Sequence, residues 1–448
     1  MEKLRQLYEK KDFKGLIEYL NEQNVVDLAE YFKELNRNEK VIFFRLLKKD
    51  TAAEVFSYMD KNEQLDLINS ITDRKLQELL ERLAFDDKID LLEEMPAYVV
   101  KKILQNITKD ERKVINHFLN FPENSAGSIM TIEYVDLKKH YTVKKALEHI
   151  KKTGVNKETI YTCYVIDNSR HLEGIISLKD IILADEDEII EDLMEDNFVA
   201  VQTTDDQEEV AALFKKYDLL SVPVLDHENR LVGIITIDDI VDVIEEEDTE
   251  DFYKMAAMEA TEDSYLKTGV ITLARKRILW LLVLMISATL TGSIIKYFET
   301  ILQSVVSLAI FIPMLMGTGG NAGSQSATTV IRSLAVGELR IKDIMKITFK
   351  ELRVSLIVGA VLATVNYLRI IFFEKMDTTI AYTVSFTVLL TIILAKLMGA
   401  ILPLLAKSLK LDPAIMASPL ISTIVDALTL LIYFNIARII MGPALGLG

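Results

Sequence analysis

A single acidic residue lies inside the last long apolar stretch of the chain. Asp426 is the only residue within residues 413–437 that is charged at neutral pH, and it falls near the middle of this run. An apolar run of this length predicts a transmembrane helix. A carboxylate at mid-membrane costs about 3 kcal/mol on insertion scales, so such a residue usually faces a water-filled path or a partner. Ion or proton passage is therefore the leading hypothesis, and an Asp hydrogen-bonded between helices is the alternative.

A second polar segment interrupts the apolar stretch at residues 301–331. Pro313 precedes GTGGNAGSQSATT, which places four glycines and several small polar groups where a simple anchor would have leucines. Such a segment is either a broken helix that builds a transport site or a helix that packs closely through small residues. Both interpretations stay open for residues 319–325. Pro403 and Pro419 predict two further kinks.

Acidic side chains are also concentrated before the apolar segments. Asp86 and Asp90 lie one turn apart on one face of a predicted helix. A later acidic run places several carboxylates along a helix: Asp239, Asp242, Glu247, Glu250 and Asp251. Clustered carboxylates repel one another unless a cation intervenes, and Mg²⁺ or Ca²⁺ prefers such oxygen ligands. The alternative is that these residues are solvated surface charges.

Charged and apolar residues are separated along the chain. Hydrophobic residues make up 50% and charged residues 26% of the 448, and the long apolar runs all follow Arg275. This distribution predicts a membrane protein with a large soluble part and at least two domains. The net charge of −16 argues against nucleic acid as a partner and for cations. A single cysteine, Cys163, excludes an intramolecular disulfide framework.

Five apolar segments are long enough to cross a membrane. They are residues 278–295, 301–331, 354–373, 378–406 and the run that starts at Pro413. Basic residues are concentrated before the first segment and in the second-to-third and fourth-to-fifth loops, which the positive-inside rule places in the cytoplasm. The start, MEKLRQLYEKKDF, has no apolar signal core. We therefore expect a multi-pass protein of the cell (inner) membrane with a cytoplasmic N-terminus and an extracytoplasmic C-terminus.

The soluble part is predicted to divide in two. Up to residue 122, apolar residues recur at helical spacing in short segments, which predicts an all-α superhelix. After it, residues 165–181 (VIDNSRHLEGIISLKDI) align with residues 224–240 (VLDHENRLVGIITIDDI), and an amphipathic helix precedes each copy. Each copy predicts a strand, a tight turn, a second strand and a helix that opens at Asp180 or Asp239.

The repeat resembles a tandem pair of cystathionine-β-synthase (CBS) domains at residues 125–187 and 188–245. This α/β module is regulatory and commonly binds adenine nucleotides or ions. Nothing in it supplies a nucleophile or a general base, and the five His residues do not cluster with Ser or Cys. An enzyme is therefore not predicted.

The whole chain resembles the MgtE-type magnesium channels. The segments PMLMGTGGNAGSQSATTVIRSLAVGEL and LDPAIMASPLISTIVDALTLLIYF are the most specific parts of the likeness. The resemblance implies a helical domain at 1–122, the CBS pair at 125–245, an acidic connecting (plug) helix at 246–272 and an α-helical bundle of five spans at 273–448. It also implies a homodimer with the pore between two five-span halves. ATP would be a ligand of the CBS pair, although no residue of the sequence identifies its site.

Functional residues follow from the same resemblance. Asp426 matches the family's pore aspartate, which recognises hydrated Mg²⁺, and we expect Asn321, Gln325, Ser418 and Ser422 to line the same path. The family's cytosolic Mg²⁺-sensing acids fall by position on Glu54, Asp86 and Asp90 in the helical domain, on Asp206, Glu208 and Asp218 in the second CBS repeat, and on Asp239, Asp242, Glu247, Glu250 and Asp251 in the connecting helix. The resemblance gives no role to Lys396, a charge within the fourth span.

The sequence thus predicts a Mg²⁺-selective channel that high cytosolic Mg²⁺ closes. One alternative is a transporter of another divalent ion such as Co²⁺, Mn²⁺ or Zn²⁺, which is disfavoured because Cys163 is alone and no His lies in a span. The other is a membrane-anchored CBS sensor without transport. An anchor would not need Asp426, so this interpretation is also disfavoured.

Overall fold

The computed structural model describes residues 2–261, 265–266, 268–416 and 418–445. They form two compact units, Met1–Ile244 and Glu245–Gly448. The fold class predicted from the sequence is confirmed: a helical N-terminal part, an α/β repeat and a bundle of apolar helices.

Short helices in series make up the start of the first unit. The described residues form ten of them: α1 Glu2–Glu9, α2 Phe13–Leu20, α3 Val25–Lys33, α4 Arg37–Leu46, α5 Lys49–Ser57, α6 Lys61–Ser70, α7 Asp73–Leu80, α8 Phe85–Glu94, α9 Ala97–Asn106 and α10 Lys109–Phe118. Polar caps start several of them; Asn36 and Glu39 form a capping box at α4. Phe32, Phe44 and Phe56 are fully buried, so the apolar faces of successive helices form one core.

Two similar α/β units follow. The first contains β1 Val135–Leu137, α11 Val143–Thr153, β2 Thr162–Ile166, β3 Leu172–Ser177, α12 Leu178–Leu183 and α13 Ile190–Leu193; the second contains β4 Val201–Gln202, α14 Gln207–Tyr217, β5 Ser221–Leu225, β6 Leu231–Thr236 and α15 Ile237–Met255. In each sheet the middle strand pairs parallel with the first strand and antiparallel with the third. The registers correspond, since Cys163 is opposite Ile176 and Val222 is opposite Ile235.

The helices after the hairpins begin earlier than the aspartates at which the sequence predicted them to open. Ser177 accepts a hydrogen bond from the Asp180 backbone at 3.1 Å and caps α12. Thr236 donates its hydroxyl to Asp239 Oδ2 at 2.8 Å in the equivalent position. Each Asp therefore lies in the first helical turn, where it complements the helix dipole.

The second repeat shares its hydrophobic core with the helical domain. Phe85 and Phe118 belong to the same buried cluster as Phe214 and Val222. The first repeat has a separate core that includes Val165. The chain from residue 125 to residue 131 also packs on the second repeat, as the bridge between Thr131 and Ile234 shows. The first unit is thus built around the helical domain and the second repeat.

The second unit contains five helices that are long and apolar enough to span a membrane, among the residues described. Its helices are α16 Val270–Tyr297, α17 Glu299–Ser304, α18 Ile312–Ala335, α19 Ile344–Arg369, α20 Thr378–Ser408 and α21 Ser418–Leu445. Short 3₁₀ segments at Val306–Phe311, Ile341–Asp343 and Pro413–Met416 and a π turn at Ile370–Glu374 connect them. The predicted multi-span bundle is therefore confirmed. Pro403 is inside α20, whereas Pro313 and Pro419 lie in the first turns of α18 and α21, where proline fits a helix.

The acidic connecting helix differs from its predicted bounds of 246–272. It is the continuation of α15, which begins at Ile237 and ends at Met255. Ala257 has a φ of 52°, a left-handed conformation that ends the helix. Val270 already belongs to the next helix, and residues 262–264 and 267 of the predicted segment lie outside the described residues.

Candidate ion-binding sites

Glycines of α18 let this helix approach α21 closely. A Cβ atom on Gly319 would lie 2.9 Å from Thr429 Oγ1, and one on Gly320 would lie 3.1 Å from Ser422 Oγ. The described part of α18 is continuous through residues 319–325. Of the two interpretations of this segment, the structure therefore supports close packing through small residues rather than a broken helix.

Asp426 lies on α21 between these contacts. The residue is half-buried, and its Oδ1 atom is buried with no hydrogen-bond partner among the described residues. Ser422, one turn earlier, is also half-buried. A buried carboxylate oxygen without a donor is costly unless water or a cation reaches it. This geometry suits an ion path better than a carboxylate locked between helices.

Two threonine hydroxyls, on α20 and α21, are also buried without a hydrogen-bond partner among the described residues. The hydroxyls of Thr391 and Thr429 are fully buried and have no hydrogen-bond partner within the described chain. Thr387 instead donates to a backbone carbonyl one turn earlier, at 2.8 Å, as threonines in apolar helices commonly do. A Cβ on Gly319 would lie within 3 Å of both Thr391 Cγ2 and Thr429 Oγ1. Sequence reasoning missed these residues because nothing in the sequence separates them from threonines that bond their own helix.

The outward face of α18 is polar. Asn321 and Gln325 are exposed one turn apart, whereas Ala322 and Ser326 are buried against the bundle. Two exposed amides on a membrane-spanning helix lack partners in lipid. Ser418 begins α21, and its side chain lies outside the described residues.

An acidic cluster lies in the first unit. It consists of Asp86, Asp87, Asp90, Glu133, Glu158, Asp238 and Asp239. The structure therefore brings together three residues that the sequence predicted, Asp86, Asp90 and Asp239. The other four were not predicted: Glu133 and Glu158 come from distant parts of the chain, whereas Asp87 and Asp238 are the sequence neighbours of Asp86 and Asp239.

Burial and mutual repulsion raise the pKa of six of these carboxyls, those of Asp86, Asp87, Asp90, Glu133, Glu158 and Asp239. Burial, followed by the charge of Asp86, raises the pKa of Asp87 and of Glu158 to about 7. The same two causes raise the pKa of Asp90 and of Asp239 to about 8, and the repulsion matters more at Asp90, which is exposed by its accessible surface. Asp86 has a buried Oδ1 atom without a hydrogen-bond partner among the described residues. A cation bound here would relieve both the burial cost and the repulsion.

The cluster is an acidic surface rather than a preformed cage. Among the described residues, no three His, Cys, Asp or Glu side chains are arranged to hold a metal ion directly. Mg²⁺ retains much of its water and often meets proteins through one or two carboxylates. The geometry therefore suits a hydrated divalent ion.

Other predicted sensing residues are separated from the cluster or from one another. Glu54 lies on the exposed face of α5 and is not among the charges that raise the pKa of the clustered acids. Asp206 caps the start of α14 and accepts from the Glu208 backbone at 2.9 Å. Asp218 ends the same helix in a left-handed conformation, with φ 52°. The 11 residues of α14 span about 16 Å, so the two capping acids of one chain cannot bind one ion.

The acids at the end of α15 meet a basic residue that the sequence did not reveal. Lys254 Nζ lies 2.6 Å from Glu250 Oε1 and 2.7 Å from Asp412 Oδ2. Burial, followed by the charge of Asp412, raises the pKa of Asp251 to about 6. Asp242 and Glu247 lie on the same helix. A lysine thus already neutralises part of this acidic region, whereas the acidic cluster of the first unit has no comparable ion pair among its described members.

Comparison with protein families assigns most of the chain. Residues 312–436 match a family described as a divalent cation transporter, MgtE. Residues 23–124 match the MgtE intracellular N domain, and residues 126–187 and 190–246 match CBS domains.

Individual proteins extend the similarity over nearly the whole length. A magnesium transporter MgtE of Bacillus subtilis is 36% identical over 427 residues, which cover 95% of this chain and 93% of the relative. A magnesium transporter MgtE of Thermus thermophilus is 36% identical over 446 residues, 98% of each chain. The solved cytosolic domain of a Mg²⁺ channel MgtE in complex with ATP covers 54% of this chain and 98% of its own, at 35% identity and a TM-score of 0.52.

Proposed function

The chain belongs to the MgtE family of divalent cation transporters, and from that premise we propose that it conducts Mg²⁺ across a membrane past Asp426. The observation that carries this proposal is the half-buried carboxylate of Asp426, one oxygen of which has no hydrogen-bond partner among the described residues of the five-helix bundle. The relatives that span the chain are named as transporters, and the proposal gives no residue a catalytic role.

The path runs between two copies of the chain. The exposed amides of Asn321 and Gln325 favour this arrangement, because a second copy and the water between the copies would supply the hydrogen bonds that lipid cannot. An Asp426 side chain from each copy would then face the same path. Two such carboxylates repel each other without a cation, which favours divalent over monovalent ions.

The ion passes with most of its water attached. Mg²⁺ gives up water reluctantly, so a path wide enough for the hydrated ion avoids the cost of dehydration. The half-buried hydroxyl of Ser422, one turn before Asp426, is placed to exchange hydrogen bonds with the ion's water shell. Selection then rests on the size and charge of the hydrated ion.

Cytosolic Mg²⁺ closes the path by binding the acidic cluster. Mg²⁺ binding there would hold the helical domain, the first CBS repeat and the start of α15 together, because these elements contribute Asp86, Glu158 and Asp239. At low Mg²⁺ the acids of the cluster that are ionised repel one another, and the elements separate. The ion controls this equilibrium only to the extent that it binds the compact state more tightly.

The soluble unit faces the cytoplasm, and the CBS pair takes an adenine nucleotide. The positive-inside rule supports the first statement, with the C-terminus on the outer side. The ATP complex of a related cytosolic domain supports the second. In this chain, Tyr164 and Ser221 join the two repeats through a buried hydrogen bond of 2.8 Å, so ligand binding to one repeat can affect the other.

Growth rescue of a bacterium deficient in magnesium uptake tests the proposal. The wild-type chain should restore growth at low Mg²⁺, and Asp426→Ala should not, because the path loses its carboxylate. Rescue by both would contradict the role of Asp426. Absence of rescue by an expressed, membrane-inserted wild-type chain would favour a sensor, and rescue only of Co²⁺ or Mn²⁺ uptake would favour another divalent ion.

A further inference from the structure

A lysine is buried within the membrane-spanning bundle. Lys396 lies on α20, well inside its 31 residues, and only 6% of its surface is exposed. A buried ammonium group is costly unless protein groups replace its water and balance its charge. The residue therefore needs a partner, and none is expected from the neighbouring apolar sequence LAKLMGA.

The partners come from two other helices. Lys396 Nζ donates to Ser326 Oγ on α18 at 3.4 Å, and Ser326 Oγ donates to Glu351 Oε2 on α19 at 2.7 Å. Ser326 is only 2% exposed. A serine hydroxyl has one proton and two lone pairs, so it can donate to the carboxylate and accept from the ammonium at the same time. We call this chain of contacts the Lys396–Ser326–Glu351 triad.

The triad adjoins the part of α18 that approaches Asp426. A Cβ on Gly399 would overlap the Gly323 carbonyl and lie 3.1 Å from Ser326 Cβ, so α18 and α20 meet closely beside Lys396. On its other side, a Cβ on Gly323 would lie 3.4 Å from Val425 Cγ2, the neighbour of Asp426. A rotation of α18 about its axis would disturb the triad and the contact with α21 together.

We propose that Lys396 is a positioning residue for the ion path. Through Ser326 and Glu351 it fixes the rotation of α18, so that the glycines face α21 and the amides of Asn321 and Gln325 face outward. This role rests on the proposed path past Asp426. It accounts for the one basic residue in the fourth span to which sequence reasoning gave no role.

Mg²⁺ flux into proteoliposomes containing the full-length protein tests this role, with flux normalised to folded protein. Lys396→Gln and Glu351→Gln should each lower flux by about tenfold, because each leaves the opposite charge of the triad, buried Lys396 or half-buried Glu351, unbalanced. The double variant removes both charges and should recover most of the flux. Lys396→Arg should retain more flux than Lys396→Gln, since it keeps the charge.

The concentration of Mg²⁺ at half-maximal flux separates positioning from mere stability. A displaced α18 changes this concentration, whereas partial unfolding lowers only the amount of active protein. Lys407→Gln, at the exposed end of the same helix, is the control and should match the wild type. Single variants that fail to fold, with a double variant that does fold, also support the pairing.

Two results would overturn the inference. One is wild-type flux and half-saturation in both single variants. The other is a double variant at least as impaired, or as poorly folded, as the singles, since this excludes a coupled pair. If the proposed function itself is wrong, a different result is expected: flux is absent in the wild type or unaffected by Asp426→Asn.

Discussion

At the residue scale, buried carboxylates divide into those that pair with a basic side chain and those that do not. Glu63 and Glu374 each have a buried oxygen without a hydrogen bond, but Lys40 lies 3.1 Å from Glu63 and Arg369 lies 3.4 Å from Glu374. Asp86 and Asp426 also have such an oxygen, and neither forms an ion pair within the described chain. A mobile cation is the natural partner of the latter two.

The raised pKa values predict how stability depends on pH without divalent ions. Asp90 and Asp239 have a pKa of about 8 in the folded state against an ordinary value of 3.8. Between these values the folded state binds more protons than the unfolded state, so stability falls as pH rises from about 4 to 8. In EDTA, the melting temperature of the first unit in the full-length protein should therefore be lower at pH 8.5 than at pH 5.5.

Mg²⁺ should oppose this loss. Free Mg²⁺ at a hundred times its dissociation constant adds about 2.7 kcal/mol to the folded state, roughly 5–10 °C in melting temperature. Asp90→Asn with Asp239→Asn should reduce both the pH slope and the Mg²⁺ effect. Asp110→Asn, which removes an acid whose side chain is 95% exposed, is the control. An unchanged pH slope in the double variant would show that these acids are not the coupled groups.

Part of the site could be predicted from the residues and part could not. Asp426 was identifiable because an isolated charge in an apolar run is costly in a membrane and is rarely kept without a function. Glu133 and Glu158 were not, because each becomes notable only when the fold places it beside Asp86. Thr391 and Thr429 were hidden because whether a threonine bonds its own helix depends on its rotamer and its neighbours, which sequence does not show.

At the element scale, close contact between helices gives the GTGGNAGSQ segment its function. Gly319, Gly320 and Gly323 all meet α21, and Gly323 also meets α20 at Gly399. Small residues allow such contacts where the association of helices in lipid depends on packing. The sequence predicted an unusual segment here, but it could not decide between a broken and a close-packed helix, because both use glycine.

Two glycine substitutions test this packing. Gly399→Ala should lower stability by about 1–3 kcal/mol, because its Cβ would overlap the Gly323 carbonyl. Gly292→Ala, on α16, should be neutral or slightly stabilising, since no atom lies within 4 Å of the added Cβ and alanine favours the helix. Thermal unfolding in detergent measures both. Equal stability of the two variants would be inconsistent with a tight contact at Gly399.

Element boundaries were predictable only as far as local chemistry controls them. The predicted strands and helices of the repeat are present, but the helices after the hairpins begin at Leu178 and Ile237, before the aspartates at which they were predicted to open. The connecting helix was predicted at 246–272, whereas α15 runs from Ile237 to Met255. A continuous acidic pattern marks neither its start, where Thr236 bonds Asp239, nor its end, which the left-handed Ala257 follows. Caps and single left-handed residues set these limits.

At the scale of the whole molecule, the outward polar face of α18 predicts how two copies meet. Gln325→Cys, in a Cys163→Ala background, should form a disulfide-linked dimer in membranes on mild oxidation, because the same face of each copy lines the path. Val361 is 58% exposed and lies on an apolar face of α19, and Val361→Cys should not form this dimer. Non-reducing electrophoresis measures the outcome. Crosslinking of the second variant alone would place the interface elsewhere.

Mg²⁺ flux through the purified full-length protein in proteoliposomes, with and without the carboxylate of Asp426, tests the central claim most directly. The wild type should admit Mg²⁺ in a saturable manner, and Asp426→Asn, which keeps the shape but removes the charge, should reduce flux by roughly tenfold or more. Glu299→Gln, a change at an exposed acid of the same unit, should leave flux intact. Equal flux in the wild type and Asp426→Asn would contradict the account.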